Sequence, residues 1–359
     1  MASELPSGFA PVAVVSSRGK PLGVALPTAS GGSLALRMVA FAPEAWNLET
    51  LQRRLQRALR LRERLALRSN AYRLLHVEGD GFPGLVADRY ADTVVLALYE
   101  PAWEPYLAFF TDFFSGALGS RRVLLRRMYQ PGAVEPLMGE FPKGQIVVQE
   151  GDWQLLVDVV GGQKTGLFLD QRENRFLVAS FASGARVLNL FAYSGAFALA
   201  AMAGGAREVV NVDIAISARK LAERNYKLNG LLWKSEDFLV GDAFALCEQL
   251  ASRNSLFDLV IVDPPAFAKK AEALSAALAG YRHINARALP LVAAGGFLLT
   301  CSCSARVTVE QLEAALLAAA LEVNREVVVL ERRGAGPDHP ISLFCPETRH
   351  LKALWCVVY

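Results

Sequence analysis

Arg186-Val-Leu-Asn-Leu-Phe-Ala-Tyr-Ser-Gly195-Ala-Phe197, running on to Val209-Val-Asn-Val-Asp213, is the stretch that decides how this chain folds. Val187, Leu188, Leu190 and Phe191 form a short apolar run of the kind buried in a parallel sheet. The run breaks at Ser194-Gly195, where a residue without Cβ lets the backbone turn tightly. Ala196 to Ala203 then has helical composition, and Gly204-Gly205 stops it. A second apolar run, Val209 to Val212, ends in Asp213. Strand, glycine turn, helix, strand and terminal acid make a nucleotide-binding βαβ unit, with the acid placed to accept hydrogen bonds from two ribose hydroxyls. A doubly wound domain with a stray acid would look the same over this stretch alone. The dehydrogenase pattern Gly-x-Gly-x-x-Gly is absent, and a pyrophosphate needs several close-approach glycines. A ligand without phosphates does not, which favours S-adenosylmethionine over a dinucleotide.

Outward from that unit the C-terminal half alternates regularly. Helix 215–229, strand 238–240 ending at Asp242, helix 243–252 and strand 257–262 ending at Asp263-Pro-Pro-Ala-Phe267 follow one another. A helical region over 271–293, the strand 296–300 running into Cys301-Ser-Cys-Ser304, helix 308–323 and strands 326–331 and 351–358 complete it. Alternating β and α predicts a doubly wound, mostly parallel sheet, and the last two strands imply one antiparallel hairpin at its edge.

The N-terminal half reads differently. Strands are expected at 11–15, 22–26 and 33–41, with Ser-Arg-Gly-Lys and Ser-Gly-Gly turns between them. Over 51–68 the period becomes helical: Leu51, Leu55, Ala58, Leu59 and Leu65 share one face, and Arg53, Arg57, Arg60, Arg64 and Arg68 line another. This arginine face is either a solvated surface or a contact strip for a phosphate backbone. Residues 71–150 read as a small α+β domain with a turn at Glu78-Gly-Asp-Gly-Phe-Pro83, strand 94–98, helix 103–114 and strand 123–125. Trp153 to Val160 is strand-like. The segment Gly161 to Arg175 is dense in glycine, charge and amide. Asp170 is expected to cap a helix, with Glu173 three positions on as in a capping box. Lys164, Arg172 and Arg175 have no such explanation and can meet a carboxylate or phosphates.

Composition narrows the class. With 359 residues, 53% apolar and 20% charged, the chain is globular and long enough for two or three domains. No apolar run approaches a membrane span, and no export signal opens the sequence, so free thiols in the cytoplasm are expected. The five cysteines lack metal spacing, Cys301-x-Cys303 being too tight for a zinc knuckle, and no metal is expected. Net charge is +3, but residues 1–68 carry ten Arg or Lys against four Glu, so the excess there is +6 and the remainder carries −3. Such asymmetry points to an anionic partner for the N-terminal part.

Ligands of doubly wound sheets lie beyond the C-terminal strand ends, here Asn189 to Gly195, Asp213, Asp242, Asp263 and Cys301 to Ser304. Asp213 and Asp242 read as acceptors for ribose hydroxyls and an adenine amino group. The prolines after Asp263 stiffen the loop carrying that acid, and Phe267 offers a face on which a flipped base can stack.

Asn189-Leu-Phe-Ala-Tyr-Ser-Gly195, Asp213, Asp242, Asp263-Pro-Pro-Ala-Phe267 and Thr300-Cys-Ser-Cys-Ser304 resemble class I S-adenosylmethionine-dependent methyltransferases. Lys164-Thr-Gly-Leu-Phe-Leu-Asp-Gln-Arg172, Gly79-Asp-Gly-Phe-Pro-Gly84 and Asp338-His-Pro340 narrow the resemblance to bacterial ribosomal RNA large subunit methyltransferase I and its relatives, over roughly residues 70–359. The resemblance implies a Rossmann-like domain with a seven-stranded, mostly parallel sheet containing one antiparallel strand, expected over 161–359. A small α+β domain (69–160) precedes it, after a partial PUA-like β region with the basic helix (1–68). The family's barrel opens with a His-Pro-Trp stretch that this chain lacks.

The implied cofactor is S-adenosylmethionine, held by Arg172, Asn189, Phe191, Ala192, Ser194, Gly195, Asp213, Asp242 and Asp263. The implied reaction forms 5-methylcytosine in 23S ribosomal RNA, with Cys303 as the nucleophile adding to cytosine C6 and Asp263 as the partner of N3. Cys301 is then a core thiol. The implied partner is RNA, either 23S ribosomal RNA or a large-subunit precursor, with no membrane; a homodimer is left open. Two other readings remain: methylation of an exocyclic amine polarised by Asp263-Pro-Pro, and a non-catalytic RNA-binding assembly factor.

Overall fold

The computed structural model describes residues 10–29, 34–42, 44–130, 132–267 and 274–359. The expected Ser-Gly-Gly turn at 30–32, Ser33 and the expected helix start at Ala271 lie outside them. The chain gathers into two compact units. The first takes Met1–Val148, Val157–Leu169 and Pro337–Thr348; the second takes Gln149–Leu156, Asp170–Gly336 and Arg349–Tyr359. This partition differs from the expected divisions after residues 68 and 160, and the reason is packing.

In the first unit β1 (Val12–Val15), β2 (Pro21–Pro27) and β3 (Leu36–Phe41) form an antiparallel sheet. Helix α1 (Leu48–Leu65) follows, its N-terminus capped by Asn47 Oδ1, which accepts from Thr50 N at 2.8 Å. Then come β4 (Ala71–His76), the single helical turn α2 (Val77–Asp80), β5 (Leu85–Tyr90), β6 (Thr93–Leu98), α3 (Leu107–Leu118), β7 (Arg122–Arg127) and β8 (Glu135–Met138). They build a five-stranded sheet in sequence order, antiparallel except where α3 joins β6 to a parallel β7. Leu26 and Val39 from the first sheet, Leu51 and Leu55 from α1, and Leu74, Phe82, Leu96, Trp103 and Phe110 share one buried cluster. The three N-terminal strands and α1 therefore share a core with the α+β layer.

Two motifs of the sequence meet in this unit. A Cβ on Gly79 would lie 2.1 Å from the carbonyl oxygen of Pro340, so only glycine fits there. Next to it Arg62 and Asp80 form a bidentate pair, both bonds 2.7 Å, and Arg62 Nη2 also donates to the Asp338 carbonyl at 2.7 Å. The Asp338 carboxylate accepts from Arg73 N at 2.9 Å, and the His76 and His339 rings meet edge to face at 5.1 Å.

Strands β9 (Ile146–Glu150) and β10 (Trp153–Val157) pair as a hairpin. The second unit continues with α4 (Arg172–Phe181), β11 (Arg186–Leu190), α5 (Ala196–Ala203), β12 (Glu208–Asp213), α6 (Ile216–Leu228), β13 (Phe238–Val240) and α7 (Ala243–Ser252). It closes with β14 (Phe257–Val262), α8 (Leu274–Ala288), β15 (Val292–Ser302), α9 (Val309–Glu322), β16 (Val327–Arg333) and β17 (Lys352–Val358). The sheet order is β13-β12-β11-β14-β15-β17-β16, with β17 antiparallel to both neighbours and every other strand parallel. This is the seven-stranded, mostly parallel Rossmann-like sheet with one antiparallel strand that the resemblance implies. The expected edge hairpin is present, formed by β16 and β17, and it sets β17 beside β15. No helix among the described residues is long and apolar enough to cross a membrane.

Asp170 is not the cap expected of it. The residue at the start of α4 is Gln171, whose side chain makes no capping bond, because a tight turn over Leu169–Gln171 carries Asp170 aside. Asp170 Oδ2 pairs with His350 Nε2 at 2.8 Å instead.

Candidate active site

The loop after β11 is held in an unusual conformation. Phe191 (φ 60), Tyr193 (φ 46) and Gly195 (φ 73) all lie in the left-handed region, which costs a non-glycine residue energy and marks a loop fixed by its surroundings. Gly195 cannot be replaced cheaply, because an added Cβ would lie 3.0 Å from Ala222 Cβ. What fixes the loop is Asp213 at the end of β12. Its Oδ2 accepts from Tyr193 N and its Oδ1 from Ala215 N, both at 2.9 Å. Asn225 from α6 adds a bond to the Ser194 carbonyl at 2.8 Å. Ala192 packs with Ala218, Ala222 and Phe238, and Phe191 lies against the main core.

The other expected contacts divide. Asn189 is buried within β11, where its Nδ2 donates to Asn211 Oδ1 at 2.8 Å, so its carboxamide serves the strand pair. Asp242 is exposed and caps α7, accepting from Ala245 N at 3.0 Å through Oδ1. Gly241 N donates to the Asp213 carbonyl at 3.0 Å, which ties the Asp242 loop to the end of β12. Arg172 is wholly buried at the start of α4, with Nε 3.1 Å from Glu173 Oε1. Arg175 meets a carboxylate of the protein itself: Nε and Nη2 both lie 2.6 Å from buried Glu150. Lys164, in the first unit, sits over the Phe168 ring at 4.3 Å.

At the ends of β14 and β15 the structure brings the acid loop and the thiol together. Cys303 Sγ lies 4.0 Å from the Pro264 carbonyl, and Asp263 immediately precedes that proline. Cys303 is half-buried, whereas Cys301, two residues back on the alternating strand, is fully buried. Burial pushes the Cys301 thiol well above its usual pKa, in keeping with a packing role. Phe267 stands edge-on to Tyr281 of α8 at 4.9 Å. The Tyr281 hydroxyl bonds to both Ser302 and Ser304 Oγ at 2.9 Å, fixing the backbone on each side of Cys303. Neither Tyr281 nor Lys352, which also reaches this turn, was marked by sequence pattern; each reads locally as an ordinary helix or strand residue. Among the described residues no group of three or more His, Cys, Asp or Glu gathers as a metal would require.

A left-handed glycine loop, a strand-end acid that keeps lone pairs beyond the backbone bonds it accepts, and a second exposed acid beside it fit a ribose and an adenine edge. Fold and site thus define a class, the S-adenosylmethionine-dependent methyltransferases, and the model of that family matches residues 109–342. The cofactor is S-adenosylmethionine.

More narrowly, the chain is 36% identical over 324 residues to ribosomal RNA large subunit methyltransferase I of Photobacterium profundum, covering 88% of this chain and 82% of the relative. The same enzyme of Shewanella denitrificans is 38% identical over 320 residues, covering 87% and 81%. The chain belongs to the ribosomal RNA large subunit methyltransferase I family. Among solved structures, a protein of Streptococcus mutans described as a SAM-dependent methyltransferase superposes with a TM-score of 0.87 at 23% identity, covering 99% of this chain and 93% of that one. A methyltransferase complexed with SAH gives 0.88 at 23% identity, covering 98% and 92%.

Proposed function

We propose that this chain forms 5-methylcytosine in 23S ribosomal RNA, with Cys303 as the nucleophile. The observation that carries the proposal is the 4.0 Å approach of Cys303 Sγ to the Pro264 carbonyl, which sets a half-buried thiol beside the acid loop at adjacent strand ends. Cytosine C5 is a poor carbon nucleophile until something adds to C6. The Cys303 thiolate adds there, forming an S–C6 bond and moving electron density toward C5, N3 and O2. Asp263 bonds at N3 and assists that shift. Bound S-adenosylmethionine supplies the methyl group that C5 takes up. A base, for which water suffices, then takes the C5 proton; the C5–H electron pair restores the C5=C6 bond and the S–C6 bond breaks, expelling Cys303 as thiolate. Phe267 offers the flipped base an aromatic face. Asp213 and Asp242, with Phe191, Ala192, Ser194 and Gly195, hold the cofactor, and Arg172 and Asn189 brace that half of the site.

The test is covalent trapping. RNA carrying 5-fluorocytosine at the target has no C5 proton to lose, so the adduct with wild-type protein should persist after methylation. Cys303→Ala should abolish adduct and methyl transfer together while S-adenosylmethionine still binds, and Cys301→Ala should still form the adduct. Methylation at the wild-type rate by Cys303→Ala would overturn the cytosine-C5 mechanism and leave amine methylation through Asp263-Pro-Pro in its place.

A further inference from the structure

Lys352 opens β17 directly opposite Ser302 of β15 in the antiparallel ladder. Its side chain is buried, with the residue 3% exposed. The ammonium donates to the Ser304 carbonyl at 2.5 Å and to the His350 carbonyl at 2.9 Å. Ser302 and Ser304 are the two neighbours of Cys303, so the cation is fastened to the peptide that carries the thiol onward from the strand. An ammonium has three N–H donors, and two are placed. Among the described residues no carboxylate pairs with it. Carbonyl dipoles alone compensate a buried charge poorly, so such a lysine either sheds its proton or finds an anion.

The charged and titratable groups packed around it narrow the choice of anion. Asp170, across from His350, is paired with that ring. From β15, Cys301 is a fully buried thiol. Tyr281, reaching in from α8, keeps its proton, its pKa raised by burial. Asp263 stands on the loop after β14, where its charge acts on Cys301. Burial draws the Lys352 pKa down to about 8, and charge on Cys303 acts in the opposite direction; with the ammonium bonded to the Ser304 carbonyl, the thiol one residue back is the neighbouring group able to become an anion. Arg325 is a second cation held by carbonyls, those of Leu289, Val292 and Tyr359; burial lowers its pKa too, but it stays partly exposed and no cysteine adjoins those three residues in the chain.

We propose that Lys352 is the positioning residue that holds Cys303 as a thiolate, accepting the thiol proton and remaining beside the sulfur as its counter-ion. The S–H bond breaks, an N–H bond forms, the electron pair stays on sulfur, and the pair as a whole gains or loses no proton. A cation within a few ångströms lowers a thiol pKa and raises the thiolate fraction available for attack. The inference rests on Cys303 being the nucleophile of the proposed reaction, and it supplies the activation that reaction requires.

The experiment reads the thiolate without RNA or methyl transfer, so its failure and the failure of the cytosine-C5 mechanism are separable. In a Cys345→Ser background, which removes the other half-exposed thiol, the rate of Cys303 carboxamidomethylation by iodoacetamide is followed by peptide mass spectrometry from mildly acidic to alkaline pH. Lys352→Met should move the inflection to higher pH and slow the reaction at neutral pH by roughly tenfold or more, with S-adenosylmethionine binding as the control for folding. An unchanged inflection in a variant that binds the cofactor would reduce Lys352 to a backbone clamp and overturn the proposal. Should Lys352→Met fail to fold, the reciprocal titration decides. Cys303→Ser leaves the lysine in place, and NMR of 13Cε-labelled lysine should show Lys352 losing its proton at lower pH than in wild type. Identical titration in the two proteins would equally overturn the proposal.

Discussion

The first unit and the end of β17 bury positive charge in opposite ways. In the first unit Arg62 meets Asp80 through two bonds of 2.7 Å, and Arg73 meets Asp88 at 2.6 and 3.2 Å. Their remaining donors go to the carbonyls of Arg73, Asp338 and Ala58 or to His76. At β17 the Lys352 ammonium has two carbonyls and, among the described residues, no carboxylate. A closed pair keeps its charges in one fixed arrangement and leaves nothing for a ligand, whereas a cation held by carbonyls alone polarises whatever stands next to it. The difference separates charge that specifies a fold from charge that does chemistry.

The largest effect should come from opening a closed pair. Asp80→Ala strands the Arg62 guanidinium and also removes the acceptor of His76 N, bonded at 2.7 Å. Breaking one side of a buried ion pair costs about 3–5 kcal/mol, readable by denaturant unfolding. A loss below about 1 kcal/mol would show that the pair is hydrated, as surface pairs are, and the contrast with Lys352 would collapse. Asp213→Ala comes next, because that carboxylate is compensated by backbone N–H groups yet keeps lone pairs for a ligand. Losing a charged hydrogen bond costs roughly 1.5–3 kcal/mol, so S-adenosylmethionine affinity by calorimetry should fall about tenfold or more. Unchanged affinity would remove Asp213 from the site.

The smallest effect belongs to the exposed arginines of α1. Arg53 is already paired with Glu44 at 2.7 Å, so Arg53→Gln should barely alter the salt dependence of RNA binding. Arg60→Gln and Arg64→Gln should each flatten the slope of log affinity against log salt by about 0.7–0.9. Equal slopes in all three variants would return the helix to a solvated face.

Much of the second unit was legible because its strands are short apolar runs and its helices are bounded by glycine, asparagine or a capping acid. The expected limits of Ala196–Ala203, Ala243–Ser252 and Phe257–Val262 coincide with α5, α7 and β14. Strands β8 and β9 escaped notice, since Glu135-Pro-Leu-Met138 carries a proline and no alternation, as an edge strand permits. In α1 the exposed arginines were separable by period, but only packing shows that Arg54 and Arg62 are buried. Asp170 carried a true capping pattern that tertiary pairing with His350 overrode. Lys352 was invisible for a related reason. Leu-Lys-Ala reads as one more strand, and the lysine becomes a buried cation only through the register that sets it opposite Ser302.

The contact between Arg62 and the Asp338 carbonyl spans 276 residues, and Asp338 also closes on the Arg73 amide. During synthesis the first unit therefore emerges early but stays unfinished. Gly79 waits for Pro340 and Arg62 for its last acceptor until residues 337–348 have left the ribosome. Loop closure over that distance is entropically costly and slow, so the final docking of 337–348 ties completion of the early-made unit to completion of the late-made one. A nascent chain cut short before Asp338 would carry an arginine lacking one acceptor and leave Gly79 without the Pro340 carbonyl against it, so the early strands reach their final packing only when this late segment docks.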